Sequence, residues 1–311
     1  MHQPAVPDRC SLLPDGLLDA AGVRAFQQLI RSHYQAAARP MPWRDTRDPY
    51  RILLSEIMLQ QTQVERVLSK YAEFLGEFPT LAALAAAPLA DVLRVWQGLG
   101  YNRRAIALKN CAVEIMIRCD GRFPATAAEL ESLPGIGHYT ARAVALFAFG
   151  VVEPFIETNI RTVFIHTFFP GRDQVSDREI MPLVEQTIDH DNPREWYYAL
   201  MDYGVMLKRG RHNPGRRSAH HTRQSPFKGS NRQLRSRILR AIMAQAGMSA
   251  EALAGQLDSD LLAVERNLEA MSQEGFLQKT SLGYGIAGEA QNNRTEVTTP
   301  LIASHNRRKY R

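Results

Sequence analysis

Helix punctuation governs this sequence. Asp48-Pro49 places an N-cap carboxylate before a proline at the first helical position, and Leu53, Ile57, Val64 and Leu68 then recur at helical spacing. Phe78-Pro79-Thr80 and Phe123-Pro124-Ala125-Thr126 open further Ala- and Leu-rich helical stretches, another helix fits Gly22 to Ala38, and few runs alternate as strands do. The class expected is all-α, a series of short helices turning at Pro and Gly corners. The 311 residues, 45% hydrophobic and 23% charged, suffice for one large or two ordinary domains and exclude collagen-like, mucin-like and coiled-coil arrays. No apolar run approaches the roughly 18 residues of a membrane helix, and Asp8 and Arg9 interrupt the place of a signal peptide, so a cytoplasmic protein without membrane contact is expected. Cys10, Cys111 and Cys119 are too few and too scattered for a disulfide framework or a zinc ribbon.

Charge is segregated. Eleven Lys and Arg stand between Lys208 and Arg240 without one Asp or Glu, while the remaining 27 face 32 carboxylates. Such a block is either a phosphate-facing surface or an exposed linker. Beyond it, Arg235 to Gln245, Ser249 to Leu257 and Leu261 to Glu274 read as three helices, and Phe276 to Ile286 as a hairpin through Gly283 to Gly285. That is the order of a winged helix, with Arg232, Arg235 and Arg240 as a basic face on its first helix. Residues 1–22 are expected to form a loose lead-in, and residues 290–311, ending in Arg307, Arg308, Lys309 and Arg311, a flexible tail.

Three segments could carry chemistry. Leu133-Pro134-Gly135-Ile136-Gly137 separates two helices, the second running from His138 to Phe149. Glycines allow close backbone approach and a helix N-terminus attracts phosphate, although an ordinary tight turn has the same spelling. On the helix from Pro49, steps of 100° set Glu56, Gln60 and Gln63 along one edge beside the apolar stripe. Partial burial there would raise the carboxyl's pKa and make it a proton donor near neutrality; a solvated edge glutamate is the plain alternative. In Phe155-Ile156-Glu157-Thr158-Asn159, Glu157 precedes a helix, whose dipole favours an anion, and simple N-capping is the alternative. An acid and an anion in opposed environments are the pair that breaks a glycosidic bond.

Pro42-Trp43-Arg44, Asp48-Pro49-Tyr50, Leu54-Ser55-Glu56-Ile57-Met58-Leu59-Gln60-Gln61-Thr62-Gln63-Val64, Gly98-Leu99-Gly100-Tyr101, the Leu133 to Thr140 hairpin and Ile156 to Val163 occur in this order over residues 25–207. The order and spacing resemble the MutY-like adenine DNA glycosylases of the helix-hairpin-helix superfamily. The resemblance implies a two-lobed all-α glycosylase domain over residues 23–230, with a six-helix barrel lobe at 45–155 and a second lobe from 23–44 and 156–230. A winged-helix-like module over 231–289 would follow. It implies Glu56 as the general acid that protonates a flipped adenine and Glu157, at the position of the family's Asp, as the anion facing the sugar cation. Tyr139 and Asn159 complete the catalytic set. Tyr139 stands where bifunctional relatives carry a Schiff-base lysine, and a phenol forms no imine, so the enzyme would be monofunctional. Gln60 would wedge into the duplex and Tyr101 would lie near the opposing base; Gln61, Arg44, Gly135, Gly137, His138, Arg216 and Arg217 join them on DNA, with a monovalent cation at the hairpin carbonyls. The partner implied is mismatched double-stranded DNA, bound by a nucleoid-associated monomer.

Three departures stand out. Glu157 is one methylene longer than the family's Asp. The four cysteines of the family's iron–sulfur motif fall on Lys208, Gly215, Ser218 and Gln224, so no cluster is expected, and the basic block would brace that loop electrostatically instead. The C-terminal domain that senses oxidised guanine has no counterpart. The leading reading is a clusterless glycosylase for adenine opposite guanine or oxidised guanine. Thymine or uracil removal opposite guanine, and a non-enzymatic DNA-binding descendant, are the other readings.

Overall fold

A computed structural model describes residues 11–209, 213–222 and 225–288, and no helix among them is long and apolar enough to cross a membrane. The 290–311 tail, Cys10, Arg211, Arg223 and Gln224 lie outside the described residues. The all-α class holds: among the described residues there are fourteen α-helices, a few short 3-10 and π segments, and one two-stranded hairpin.

The first helix, α1, spans Ala20–Ala37. A helical lobe follows, made of α2 (Pro49–Leu59), α3 (Val64–Glu77), α4 (Leu81–Ala86), α5 (Leu89–Trp96), α6 (Arg103–Arg118), α7 (Ala127–Glu131) and α8 (His138–Val144). The punctuation acts as its chemistry requires. Asp48 accepts the amides of Tyr50 and Arg51 to start α2, Thr80 caps α4, and Thr126 with Glu129 forms a capping box on α7. Helix α8 runs into a π-helical turn at Ala145–Phe149, closed by Gly150 at φ 76°. Helix α2 is the hub, buried on nearly every side from Tyr50 to Met58 and packed on α3, α6 and α8.

The second lobe joins α1 to α9 (Thr158–Phe168), α10 (Asp177–Thr187) and α11 (Pro193–Lys208) around Phe26, Phe164, Phe168 and Trp196. Its closest approach is at Gly204 of α11, where a Cβ would lie 2.3 Å from the Asn159 carbonyl oxygen. Only glycine lets α11 sit that close to the start of α9.

Three helices, α12 (Asn231–Ala244), α13 (Ala250–Leu257) and α14 (Leu261–Gln273), precede antiparallel strands β1 (Leu277–Thr280) and β2 (Gly283–Ile286). The hairpin turns at Ser281 and Leu282; Gly283 and Gly285 lie within β2, and a Cβ on Gly283 would strike the Gly247 carbonyl at 2.5 Å.

Several expectations are corrected. The helix from Pro49 does not run on through Leu68: the chain breaks at 60–63, with Gln61 at φ 54°, so Gln63 starts α3 instead of sharing an edge with Glu56, and Leu68 is exposed. Thr62 donates to the Leu59 carbonyl instead of that of Met58, four residues back, and Arg104 takes the carbonyls of Ile57, Met58 and Gln60 where the helix ends. The lead-in is not loose at its end, since Leu18 is buried and exchanges main-chain bonds with the Gln186 side chain. Two residues of the basic face of α12 are engaged within the protein, Arg232 donating to the Tyr101 hydroxyl and Arg235 sharing Glu274 with Arg103, while Arg240 is exposed.

Candidate active site

Because α2 is the central helix, Glu56 is only 6% exposed. It is a core residue and not the edge residue its spacing suggests. Burial pushes its carboxyl up to about 7; the Tyr139 hydrogen bond and the Arg44 charge pull it back, and the Glu157 charge pushes it further up. The Tyr139 hydroxyl donates to Glu56 Oε2 at 2.7 Å. That phenol is itself held well above its ordinary pKa by burial and by both carboxylates, so it stays a donor. Its ring packs edge-on against Phe155 at 5.5 Å, two residues before Glu157. Glu56, Tyr139 and Glu157 thus share one electrostatic neighbourhood, supplied by α2, α8 and the start of α9.

Glu157 is the N-cap of α9. Its Oε1 accepts the amides of Asn159 (2.7 Å) and Ile160 (2.9 Å); its Oε2 accepts Thr158 Oγ1 and Asn159 Nδ2, each at 3.1 Å. Four donors and a helix N-terminus therefore converge on this carboxylate. The longer side chain is folded back onto its own helix. Lys208, at the end of α11, donates to Asn159 Oδ1 at 2.8 Å.

Near Glu56, the half-buried Gln60 ends α2 and donates from Nε2 to Thr140 Oγ1 at 3.3 Å, tying it to α8, while Gln61 is exposed. Arg104 was not singled out from sequence, yet it organises this corner. Its guanidinium donates to the carbonyls of Ile57, Met58 and Gln60 and, on the other side, to those of Leu99 and Gly100. Burial lowers its pKa to about 10. An arginine four residues after a Gly-x-Gly corner carries no spacing signal; only the facing carbonyls reveal its task. Tyr101, at φ 47° and 38% exposed, stands on that same loop.

In the hairpin, Gly135 has φ 74°, and a Cβ there would lie 2.4 Å from Ala107 Cβ, so this glycine is required by packing on α6. Gly137 faces open space at the start of α8, and His138 is exposed beside Arg142 and Glu131.

Two cations expected on DNA are engaged within the protein. The Arg44 side chain, 8% exposed, donates to both Asp202 oxygens at 2.8 and 2.7 Å and lies 4.6 Å over the Tyr198 ring. Arg217 donates to the carbonyls of Ile165, Phe169 and Arg172 and so closes the end of α9. Arg216 remains exposed.

Residues 54–190 match the HhH-GPD superfamily base excision DNA repair protein family. The chain is 33% identical over 287 residues to the adenine DNA glycosylase of Mycolicibacterium smegmatis, spanning 85% of this chain and 97% of that protein. The chain belongs to the adenine DNA glycosylase family. The human adenine DNA glycosylase is 35% identical over 201 residues, 61% of this chain, and the chain spans only 37% of that longer protein. A thermostable thymine-DNA glycosylase superposes with TM-score 0.55 at 26% identity, over 62% of this chain and 90% of that one. Endonuclease III in a non-covalent DNA complex shares the fold, with TM-score 0.50 at 20% identity over 68% of this chain and 91% of its own.

Within the adenine DNA glycosylase family, residues 208–222 do not suit an iron–sulfur cluster. Lys208, Gly215 and Ser218 offer no thiolate, and Cys111 and Cys119 sit on or beside α6. The segment is held on its neighbours by packing and main-chain pairing. A Cβ on Gly215 would lie 2.6 Å from Thr162 Oγ1 of α9, and Val175 exchanges backbone bonds with Arg217 and Ala219 on either side of Ser218. Two cations of the basic block, Lys208 on Asn159 and Arg217 on the carbonyls that end α9, add to this packing and pairing.

Proposed function

We propose that this chain hydrolyses the N-glycosidic bond of an adenine flipped out of mismatched DNA, opposite guanine or oxidised guanine. The observation that carries the reading is the buried Glu56, with a pKa near 7, set beside a second carboxylate that caps a helix. Below that pH Glu56 is a neutral acid. The Tyr139 phenol occupies Oε2, leaving the other oxygen to carry the proton toward the base. The glycosidic bond breaks with its electron pair leaving on adenine, which takes the Glu56 proton; Glu157 faces the cationic sugar, and water completes hydrolysis. Asn159 orients Glu157.

Gln60, Gln61 and Tyr101 lie on neighbouring loops held by Arg104, a placement suited to opening the duplex, and Gly137, His138 and Arg216 to meeting phosphate. The hairpin's main-chain carbonyls are neutral oxygen donors of the kind an alkali cation takes, and such an ion would add positive charge beside a phosphate. Tyr139 in place of a nucleophilic amine makes the chemistry monofunctional. Incubation with duplexes holding A·G, adenine opposite oxidised guanine, T·G and U·G, followed by hot alkali, tests the reading. Scission at adenine, absent without alkali and absent in Glu56→Gln, is expected. Scission at T·G or U·G alone would move the assignment to the thymine or uracil branch, and base release unaffected by Glu56→Gln would overturn the mechanism.

A further inference from the structure

We infer that Lys208 is a positioning residue for the Glu157 carboxylate, acting through the Asn159 amide. The inference rests on the glycosylase reading of Glu56 and Glu157. An amide side chain has one accepting and one donating end. With the Lys208 ammonium on Asn159 Oδ1 at 2.8 Å, the amide nitrogen is turned the other way, onto Glu157 Oε2 at 3.1 Å. A cation on the oxygen also polarises the amide and strengthens its donor end. The remaining side-chain donor to that oxygen, Thr158, is exposed, whereas Asn159 and Lys208 are shielded between α9 and α11.

The placement is built into the helix pair. Gly204 and Lys208 are four residues apart on α11 and therefore share a face. Gly204 brings that face onto the Asn159 carbonyl, and Lys208, one turn on, reaches the Asn159 side chain. The Glu157 charge attracts the Lys208 ammonium, and the Arg161 charge repels it. Lys208 forms no direct ion pair with Glu157 among the described residues, so its effect passes through the amide. A glutamate has an extra rotatable bond to restrain, and a second anchored oxygen restrains it.

Single-turnover adenine release at saturating A·G duplex, with duplex affinity measured on Glu56→Gln versions, tests the inference on Lys208→Met, Asn159→Leu, their double variant and Lys208→Arg. Lys208→Met should slow release roughly tenfold to a hundredfold, the scale of a misplaced reacting group, with Kd unchanged. The double variant should be no slower than Asn159→Leu, and Lys208→Arg should recover most of the rate. Should Lys208→Met not melt cooperatively, Lys208→Gln is read in its place. Losses that multiply in the double variant would overturn the inference. So would a change confined to Kd and its salt slope, which marks a phosphate contact, or borohydride trapping that vanishes with Lys208→Met, which marks a nucleophile. A wild-type chain that releases no base sinks the glycosylase reading along with this one; an active wild type with an indifferent Lys208→Met sinks this one alone.

Discussion

Glu56 combines a cost and a use. Its pKa near 7, against an ordinary 4.5, means that the folded protein holds this proton over a range where the unfolded chain has lost it. Stability from this group is therefore complete below about pH 4.5 and declines as pH rises to about 7. Glu56→Gln should be more stable than wild type at pH 8, by up to about 3 kcal/mol, and gain nothing at pH 4, as denaturant melts at the two pH values will show. The same titration sets activity: release should fall as pH rises through about 7, since only the protonated acid serves. The Tyr139 hydrogen bond lowers the Glu56 pKa, so Tyr139→Phe should shift that alkaline limb upward, by about 1 pH unit or less, in a pH series of single-turnover rates. A limb that stays in place would mean that the phenol is not Glu56's partner in the complex. The sequence marked both residues, but not the depth of burial that sets this pKa, because spacing along one helix does not say how many other helices surround it.

At the scale of elements, the site is an intersection of helix ends. Glu157 is fixed because α9 starts there, and α9 is fixed because α11 lies against it through Gly204. Gly204→Ala puts a carbon 2.3 Å from the Asn159 carbonyl oxygen, so the helices must part. A loss of about 1–3 kcal/mol in chemical denaturation, with slower base release, is expected. The break between α2 and α3 depends equally on a distant group. Arg104 takes three carbonyls at the end of α2, so Arg104→Met leaves them without that partner, and the Gln60–Gln63 turn should become open to proteolysis. The helix caps at Asp48, Thr80 and Thr126 were legible as local chemistry. The break at 60–63 was not, since its cause lies more than forty residues away.

For the whole molecule, the C-terminal helices and hairpin are joined to the first lobe by Glu274, which pairs with Arg103 of α6 and Arg235 of α12, and by Arg232 on the Tyr101 hydroxyl. The two Glu274 contacts are partly exposed ion pairs, worth up to about 1 kcal/mol each. Glu274→Ala should leave the melting of the glycosylase lobes nearly unchanged while raising protease cleavage between residues 222 and 231; unchanged cleavage would show that the module is held by other contacts. The sequence by itself determined the all-α class, the order of helices and the candidate acid, anion and hairpin, because caps, prolines and short motifs act over a few residues. Only the tertiary structure decided that Arg44 and Arg217 serve the protein's own carboxylate and carbonyls, that Arg232 and Arg235 of α12 bond Tyr101 and Glu274, and that Lys208 meets Asn159. A cation's partner is whatever the fold brings within hydrogen-bond reach, and separations of tens to more than a hundred residues leave no periodicity from which to read it.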